Sequence, residues 1–164
     1  MNEVEKYFNA EKIFCLFGAI FGFISLLLAA YFLFKIKQPF YTGMSYPFIA
    51  LGLFFLIICG SVFVRSPKDV IRVNSMLKNE RTLIQTEELP RMEKVIKNFG
   101  VIIIVEIIFI VVSLGGIFFI NSGLQLRGIF TGILIQSSFL LVFDVLAHHR
   151  GKIYFDFLKG IQGS

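Results

Sequence analysis

The chain has 164 residues, of which 56% are hydrophobic and only 16% are charged, against roughly a quarter charged in an average soluble domain. A chain of this length forms one domain and keeps much of its surface exposed, so a water-soluble fold of this composition would aggregate. The formal net charge of +5 comes from basic residues that flank apolar runs, which is typical of proteins held against anionic lipid headgroups and disfavours nucleic-acid binding.

Four apolar segments are long enough to cross a bilayer, because a helical span needs about 20 apolar residues. They cover residues 13–34, 44–64, 99–120 and 128–147. Strands of a membrane barrel would alternate apolar and polar residues, whereas these runs are apolar on every face, and a helix pairs its own backbone groups in lipid. The sequence therefore predicts an all-α integral membrane four-helix bundle, a single domain over residues 1–164.

The distribution of lysine and arginine predicts the orientation of this bundle. Thirteen of the sixteen lie in the N-terminal tail, in the central loop 65–98 or after the fourth span, and only Lys35, Lys37 and Arg127 lie on the other side. Basic residues accumulate in cytoplasmic loops. We therefore expect both termini and the loop in the cytoplasm (N-in, C-in), the protein in the plasma (inner) membrane, and short outer loops of about nine and seven residues.

Amphipathic helices are expected outside the spans. Ser66 and Pro67 have the pattern of a helix start, with a serine cap followed by proline, and a second start near Pro90 continues into the third span. Apolar residues recur at helical spacing in the tail 151–161 as well. These segments are expected to lie at the headgroup level, and a docking surface for a cytoplasmic partner is the alternative.

Small residues form stripes on two of the predicted spans. Gly18 and Gly22 lie on one face of the first span, and Gly128 and Gly132 are spaced four apart on the fourth. Such stripes let helix backbones approach closely in lipid. We expect these glycines to pack helices within one chain, and a homodimer face is the alternative.

Acidic side chains in the spans are the candidate functional residues. Glu106 lies about two turns inside the third span, and Asp144 lies near the inner end of the fourth, with His148 one turn further on. An acid at such a depth is costly unless it is neutral, paired or hydrated. Because the third and fourth spans are antiparallel, both acids belong to the cytoplasmic half, within reach of Arg65 and Arg150.

Three interpretations of this cluster stay open. Glu106 and Asp144 form a buried ion-pair network with Arg65 or Arg150, or Glu106 carries protons or a cation during transport, or Glu106, Asp144 and His148 form a metal or catalytic site. The chain has no HExxH, G-x-S-x-G or phosphate-loop motif, which disfavours the third. Cys15 and Cys59 form no CxxC pair, so each is expected to behave as a small buried hydrophobic residue.

Two function classes follow. The first is a non-enzymatic membrane protein, without cofactor or metal, that binds another membrane component as a subunit or as an immunity-type protein against a membrane-inserting toxin. The second is an oligomeric small transporter or channel coupled to protons or cations through Glu106. In either class the expected partners of the protein are the lipid bilayer and either further copies of the same chain or another membrane protein.

Overall fold

A computed structural model describes residues 3–79, 81–119 and 123–161. All regular structure in these ranges is helical. The elements are α1 (Glu3–Tyr31), which ends in a π-helical turn (Phe32–Ile36), α2 (Pro39–Asn79), the short α3 (Arg81–Leu83) with a second π-helical turn (Ile84–Glu88), α4 (Leu89–Phe119) and α5 (Leu124–Gly160).

Four of these helices are long and apolar enough to cross a membrane, as the hydropathy of the sequence predicts. The predicted spans 13–34, 44–64 and 128–147 lie within α1 with its π-helical turn, α2 and α5. The third predicted span lies within α4 as far as Phe119, and its predicted last residue, Ile120, lies outside the described residues. The protein is therefore an integral membrane protein built from four long helices.

The connection between α1 and α2 is shorter than the predicted nine-residue loop. Helical turns continue to Ile36, and α2 begins at Pro39, so only Lys37 and Gln38 separate the two helices. Lys37 has a φ of 54°, in the left-handed region, and its backbone N–H donates to the carbonyl of Phe32 at 3.0 Å. Proline suits the first position of the following helix because that position needs no N–H donor.

The predicted helix start at Ser66 is wrong, because α2 runs through this position without a break. The Ser66 hydroxyl donates to the carbonyl of Val62 at 2.8 Å instead of capping a new helix. Such a bond to the preceding turn is common for serine inside a helix. Pro67 is accommodated within α2, so the segment 66–79 continues the helix of the second span without a break.

The tail 151–161 is likewise not a separate helix that turns along the membrane surface. It is the last part of α5, which is continuous from Leu124 to Gly160. The predicted start near Pro90 is close to the observed one, since Pro90 is the second residue of α4. The reason for these helical continuations is packing, because the helix ends share a hydrophobic core.

This basal core lies at the end of the bundle that holds both ends of the described chain and the α2–α4 connection. Its buried members come from five helical elements: Val4, Tyr7, Phe8, Val73, Met76, Ile84, Leu89, Met92, Tyr154 and Leu158. The rings of Tyr7 and Tyr154 stack at 4.3 Å between centroids. We call this end of the molecule the basal end.

Along the spans, α2 and α5 form the centre of the bundle. Helix α1 packs against α2 over its length, and it reaches α5 through aromatic pairs such as Phe21 and Phe139, which stack at 3.4 Å between centroids. Helix α4 packs mainly against α5. The arrangement therefore leaves α4 at one side of the bundle.

Candidate functional site

The acidic residues singled out in the sequence meet where α4 packs against α5. Glu106 is only 5% exposed, and its carboxyl group interacts with that of Asp144, which is half-buried. The chain folds this way locally because α4 and α5 are consecutive antiparallel neighbours, which brings the basal halves of both helices to the same level.

Two serines continue this polar strip one heptad further from the basal end. Ser113 and Ser137 are each 1% exposed, and each lies seven residues from its acid, about 10 Å along the helix. In an antiparallel pair these equal offsets place the two serines at one level. We call the strip of Glu106, Ser113, Ser137 and Asp144 the α4–α5 seam.

Three polar atoms of the seam are buried without a hydrogen-bond partner among the described residues: Glu106 Oε2, Ser113 Oγ and Ser137 Oγ. A buried donor or acceptor left unpaired costs about 1–3 kcal/mol, and buried polar groups in proteins are rarely left so. The seam therefore holds polar groups with unused hydrogen-bonding capacity at two levels: a carboxyl oxygen beside Asp144 and, about 10 Å further along the helices, two serine hydroxyls.

The arginines expected near the acids have other contacts. Arg65 Nε lies 3.0 Å from Asp69 Oδ2 on the next turn of α2, and the Arg150 guanidinium lies 3.8 Å from the centre of the Phe14 ring. In the described residues neither arginine forms an ion pair with Glu106 or Asp144. Burial lowers the pKa of Arg150, although nearby Glu11 acts against this.

His148 is half-buried on α5, one turn beyond Asp144. Burial, together with the charges of Lys152 and His149, lowers its pKa. Over the part of the chain that the structure describes, no three histidine, cysteine or acidic side chains lie close enough together to hold a metal ion.

The small residues of the predicted stripes lie in contacts between helices of the same chain. A Cβ atom added at Gly22 would lie 2.8 Å from the carbonyl oxygen of Gly52, and one added at Gly18 would lie 2.7 Å from Cys59 Sγ. A Cβ at Gly132 would lie 2.9 Å from the carbonyl oxygen of Met44, and Gly128 is pressed against the Phe40 carbonyl. The first pair of glycines thus joins α1 to α2, and the second joins α5 to α2.

An ion-pair network at the basal end was not foreseen from the sequence. Glu88 is fully buried and accepts hydrogen bonds from Arg72 Nη2 at 2.9 Å and from Arg91 Nε and Nη2 at 2.9 and 2.6 Å. The hydroxyl of Tyr154 donates to it at 3.3 Å. These four residues form the Glu88 cluster, which ties α2, α4 and α5 together beside the basal core.

Burial and charge at the basal end shift the pKa of several groups around this cluster. Burial and the charge of Glu88 raise the pKa of Tyr154. Burial alone would lower the pKa of Arg91, but its hydrogen bonds to Glu88 and the charge of Glu88 raise it overall. Burial and the neighbouring Glu11 raise the pKa of Tyr7. Tyr7 and Tyr154 therefore stay neutral and Arg91 stays charged at physiological pH.

Comparison of the chain with protein-family models, curated proteins and solved structures finds no match.

Proposed function

We propose that the protein acts without enzymatic chemistry, by binding another membrane protein through the outward face of α4, either as a subunit of a complex or as an immunity-type protein against a membrane-inserting toxin. We place the protein in the plasma (inner) membrane, with its basal end in the cytoplasm. The excess of lysine and arginine at the basal end supports this orientation.

The observation that carries the proposal is the position and surface of α4. Of the residues in its most apolar stretch, 17% are buried, against 22–28% in the corresponding stretches of the other three long helices. Opposite the α4–α5 seam, its face presents Ile104, Ile108 and Val111, which are 60%, 52% and 62% exposed. Gly115 continues this face, and a Cβ there would meet no atom within 4 Å.

This spacing of 104, 108, 111 and 115 is that of a helix-packing stripe. A stripe of branched side chains ending in a glycine lets another helix approach closely, and in lipid such van der Waals packing drives association. We define the four residues as the α4 outer face. A single chain leaves this face to lipid, whereas a partner helix would cover it.

Site-specific photo-crosslinking in native membranes tests the proposal. A benzoylphenylalanine at Val111 is expected to give one discrete protein adduct, and the same probe at Ile57, an equally lipid-accessible position on α2 that is 70% exposed, is expected to give none. Gly115→Leu should abolish the Val111 adduct, because a bulky side chain would hold the partner helix away. Absence of a protein adduct from all positions of the α4 outer face would refute the proposal.

A second function is favoured by the unpartnered Glu106 Oε2 in the α4–α5 seam. In this alternative the protein is an oligomeric transporter or channel in which Glu106 carries a proton or cation, since intramembrane acids mark ion paths. Glu106→Gln should then abolish pH-dependent flux in reconstituted vesicles. Unchanged flux with lowered thermal stability would instead assign Glu106 to helix packing.

A further inference from the structure

The two cysteines, far apart in the sequence and without a CxxC motif, meet between α1 and α2. Both are free thiols, and Cys59 Sγ lies 2.7 Å from the place that a Cβ would take on Gly18, one turn along α1 from Cys15. Cys59 belongs to a buried cluster with Phe55 and Leu140, and Cys15 packs against the same cluster. The pair is therefore a dithiol within the helix bundle.

Backbone packing explains why the thiols face each other. The carbonyl oxygens of Gly22 and Gly52 each lie about 3 Å from the place a Cβ would take on the other glycine, so α1 and α2 are in backbone contact at this level. Cys15 precedes Gly22 by seven residues, and Cys59 follows Gly52 by seven. In antiparallel helices these equal offsets bring the cysteines to one level of the same close contact.

Such close backbones suit a disulfide, which needs Cα atoms about 4.4–6.8 Å apart and Cβ atoms directed toward each other. Ordinary helix pairs, with axes about 8–10 Å apart, are held further away by larger side chains. Here Gly18, on the turn between Cys15 and Gly22, also leaves room for the sulfur of Cys59.

The position of the pair selects the reagents that can reach it. Cys59 is 2% exposed, whereas Cys15 is half-buried beside Leu16 on the apolar surface of α1. Cys15 lies two residues inside the first span and Cys59 six residues before Arg65. Because Cys15 lies on the lipid-facing side of the pair, a lipid-soluble oxidant dissolved in the apolar layer reaches the dithiol through Cys15.

We infer that Cys15 and Cys59 are a redox-modification site, in which a lipid-soluble quinone oxidises the dithiol to a disulfide that joins α1 to α2. Each thiol gives up one proton and one electron as the S–S bond forms. The two carbonyl oxygens of the quinone take up both protons and both electrons, which yields the hydroquinone. A dithiol reductant reverses the reaction by thiol–disulfide exchange.

The test uses the full chain in proteoliposomes treated with a fully ring-substituted benzoquinone, which cannot add to thiols. The oxidised protein should be a monomer lighter by two hydrogen atoms, and after denaturation its alkylation by N-ethylmaleimide should fall from two labels per chain to none. Dithiothreitol should restore both labels. The Cys15→Ser and Cys59→Ser variants should each keep their one remaining label throughout.

A matched variant separates facing thiols from cysteines that merely share the bilayer. Cys15→Ser combined with Leu16→Cys keeps two cysteines but directs one toward lipid, since Leu16 is 47% exposed. This variant, eluting as the wild type does in gel filtration, should keep both labels after quinone treatment. Retention of both labels by the wild type, equal oxidation of the control, or a disulfide-linked dimer would each overturn the inference.

Discussion

At the scale of single residues, Glu88 has the most demanding environment in the basal end. Its carboxylate is fully buried, yet two arginines and a tyrosine supply four hydrogen bonds to its two oxygens. Loss of one partner from a buried ion pair leaves an uncompensated charge, which is strongly destabilising. The arginines keep part of their surface exposed, which moderates this cost.

Glu88→Gln is expected to lower the free energy of unfolding by about 2–3 kcal/mol, because the uncharged amide leaves Arg72 and Arg91 without a counter-charge. Glu87→Gln is the matched control, since Glu87 is exposed beside it and should change stability by less than about 0.5 kcal/mol. Denaturation in mixed detergent micelles measures both. Equal effects of the two variants would show that the Glu88 cluster contributes nothing to the fold.

The shifted pKa of Glu11 predicts how the stability of the protein depends on pH. Burial raises its pKa, although the hydrogen bond from Tyr7 at 3.0 Å and nearby arginines act in the opposite direction. The pKa of Glu11 is therefore higher in the folded state than in the unfolded state. Its stabilising contribution to the free energy of unfolding is fully present below the unfolded-state pKa, and it is lost as the pH rises through the folded-state pKa.

Glu11→Gln should therefore remove this loss, so that the variant is more stable than the wild type at neutral pH and the difference disappears in acid. Unfolding temperatures measured over a pH series test this. Glu3→Gln makes the same charge change at an exposed position and should leave the pH profile of the wild type unaltered. A Glu11→Gln profile parallel to that of the wild type would contradict the prediction.

Sequence reasoning at this scale found Glu106 and Asp144 but not Glu88, and the difference has a physical cause. An acid inside an apolar run is conspicuous by itself, whereas Glu87 and Glu88 are adjacent acids in a polar segment. Which of the two is buried depends on how the α2–α4 connection turns and on where Arg72 and Arg91 meet. The pairing of Cys15 with Cys59 likewise depends on the register of two helices.

At the scale of elements, the contact between α1 and α2 rests on glycine. Gly22→Ala is expected to destabilise the protein by about 1–3 kcal/mol, because the added methyl would press on the Gly52 carbonyl and separate the helices. Gly60→Ala is the control on α2, where nothing lies within 4 Å. It should be neutral or stabilise by up to about 1 kcal/mol, as helix propensity dictates.

Thermal unfolding of both alanine variants in detergent decides this prediction. If Gly22→Ala were as stable as Gly60→Ala, the backbones of α1 and α2 would not be in contact in the folded protein. The same comparison can be made for α5 with Gly132→Ala, whose methyl would meet Met44 and Pro47.

The sequence predicted the four long helices because length and hydropathy alone determine whether a segment can cross a bilayer. It failed at Ser66, where serine and proline have the pattern of a helix start but α2 continues. Local signals do not decide such a case, since Val73 and Met76 gain a buried position only if α2 continues as a helix into the basal core. The tail of α5 is held in the same way by Tyr154 and Leu158.

At the scale of the whole molecule, the four long helices end together in the basal core and not as separate surface helices. Buried apolar residues from the connecting segments, namely Val73, Met76, Ile84, Leu89 and Met92, thus cover one another. Most basic side chains of the basal end stay exposed, and in the proposed orientation they would interact favourably with anionic lipid headgroups. The proposed orientation, with the basal end in the cytoplasm, follows from this charge distribution.

Cysteine labelling in intact cells tests that orientation in a background with Cys15→Ser and Cys59→Ser. Gln38→Cys and Gln125→Cys lie exposed at the end opposite the base, whereas Lys6→Cys and Lys159→Cys lie exposed at the basal end. A membrane-impermeant maleimide should label the first two from outside and reach the second two only after permeabilisation, because the excess of thirteen basic residues would keep the base on the cytoplasmic side. The reverse pattern would show that the bundle has the opposite orientation, although the α4 outer face would still lie within the bilayer. Labelling of all four positions in sealed cells would contradict a fold whose long helices cross the membrane.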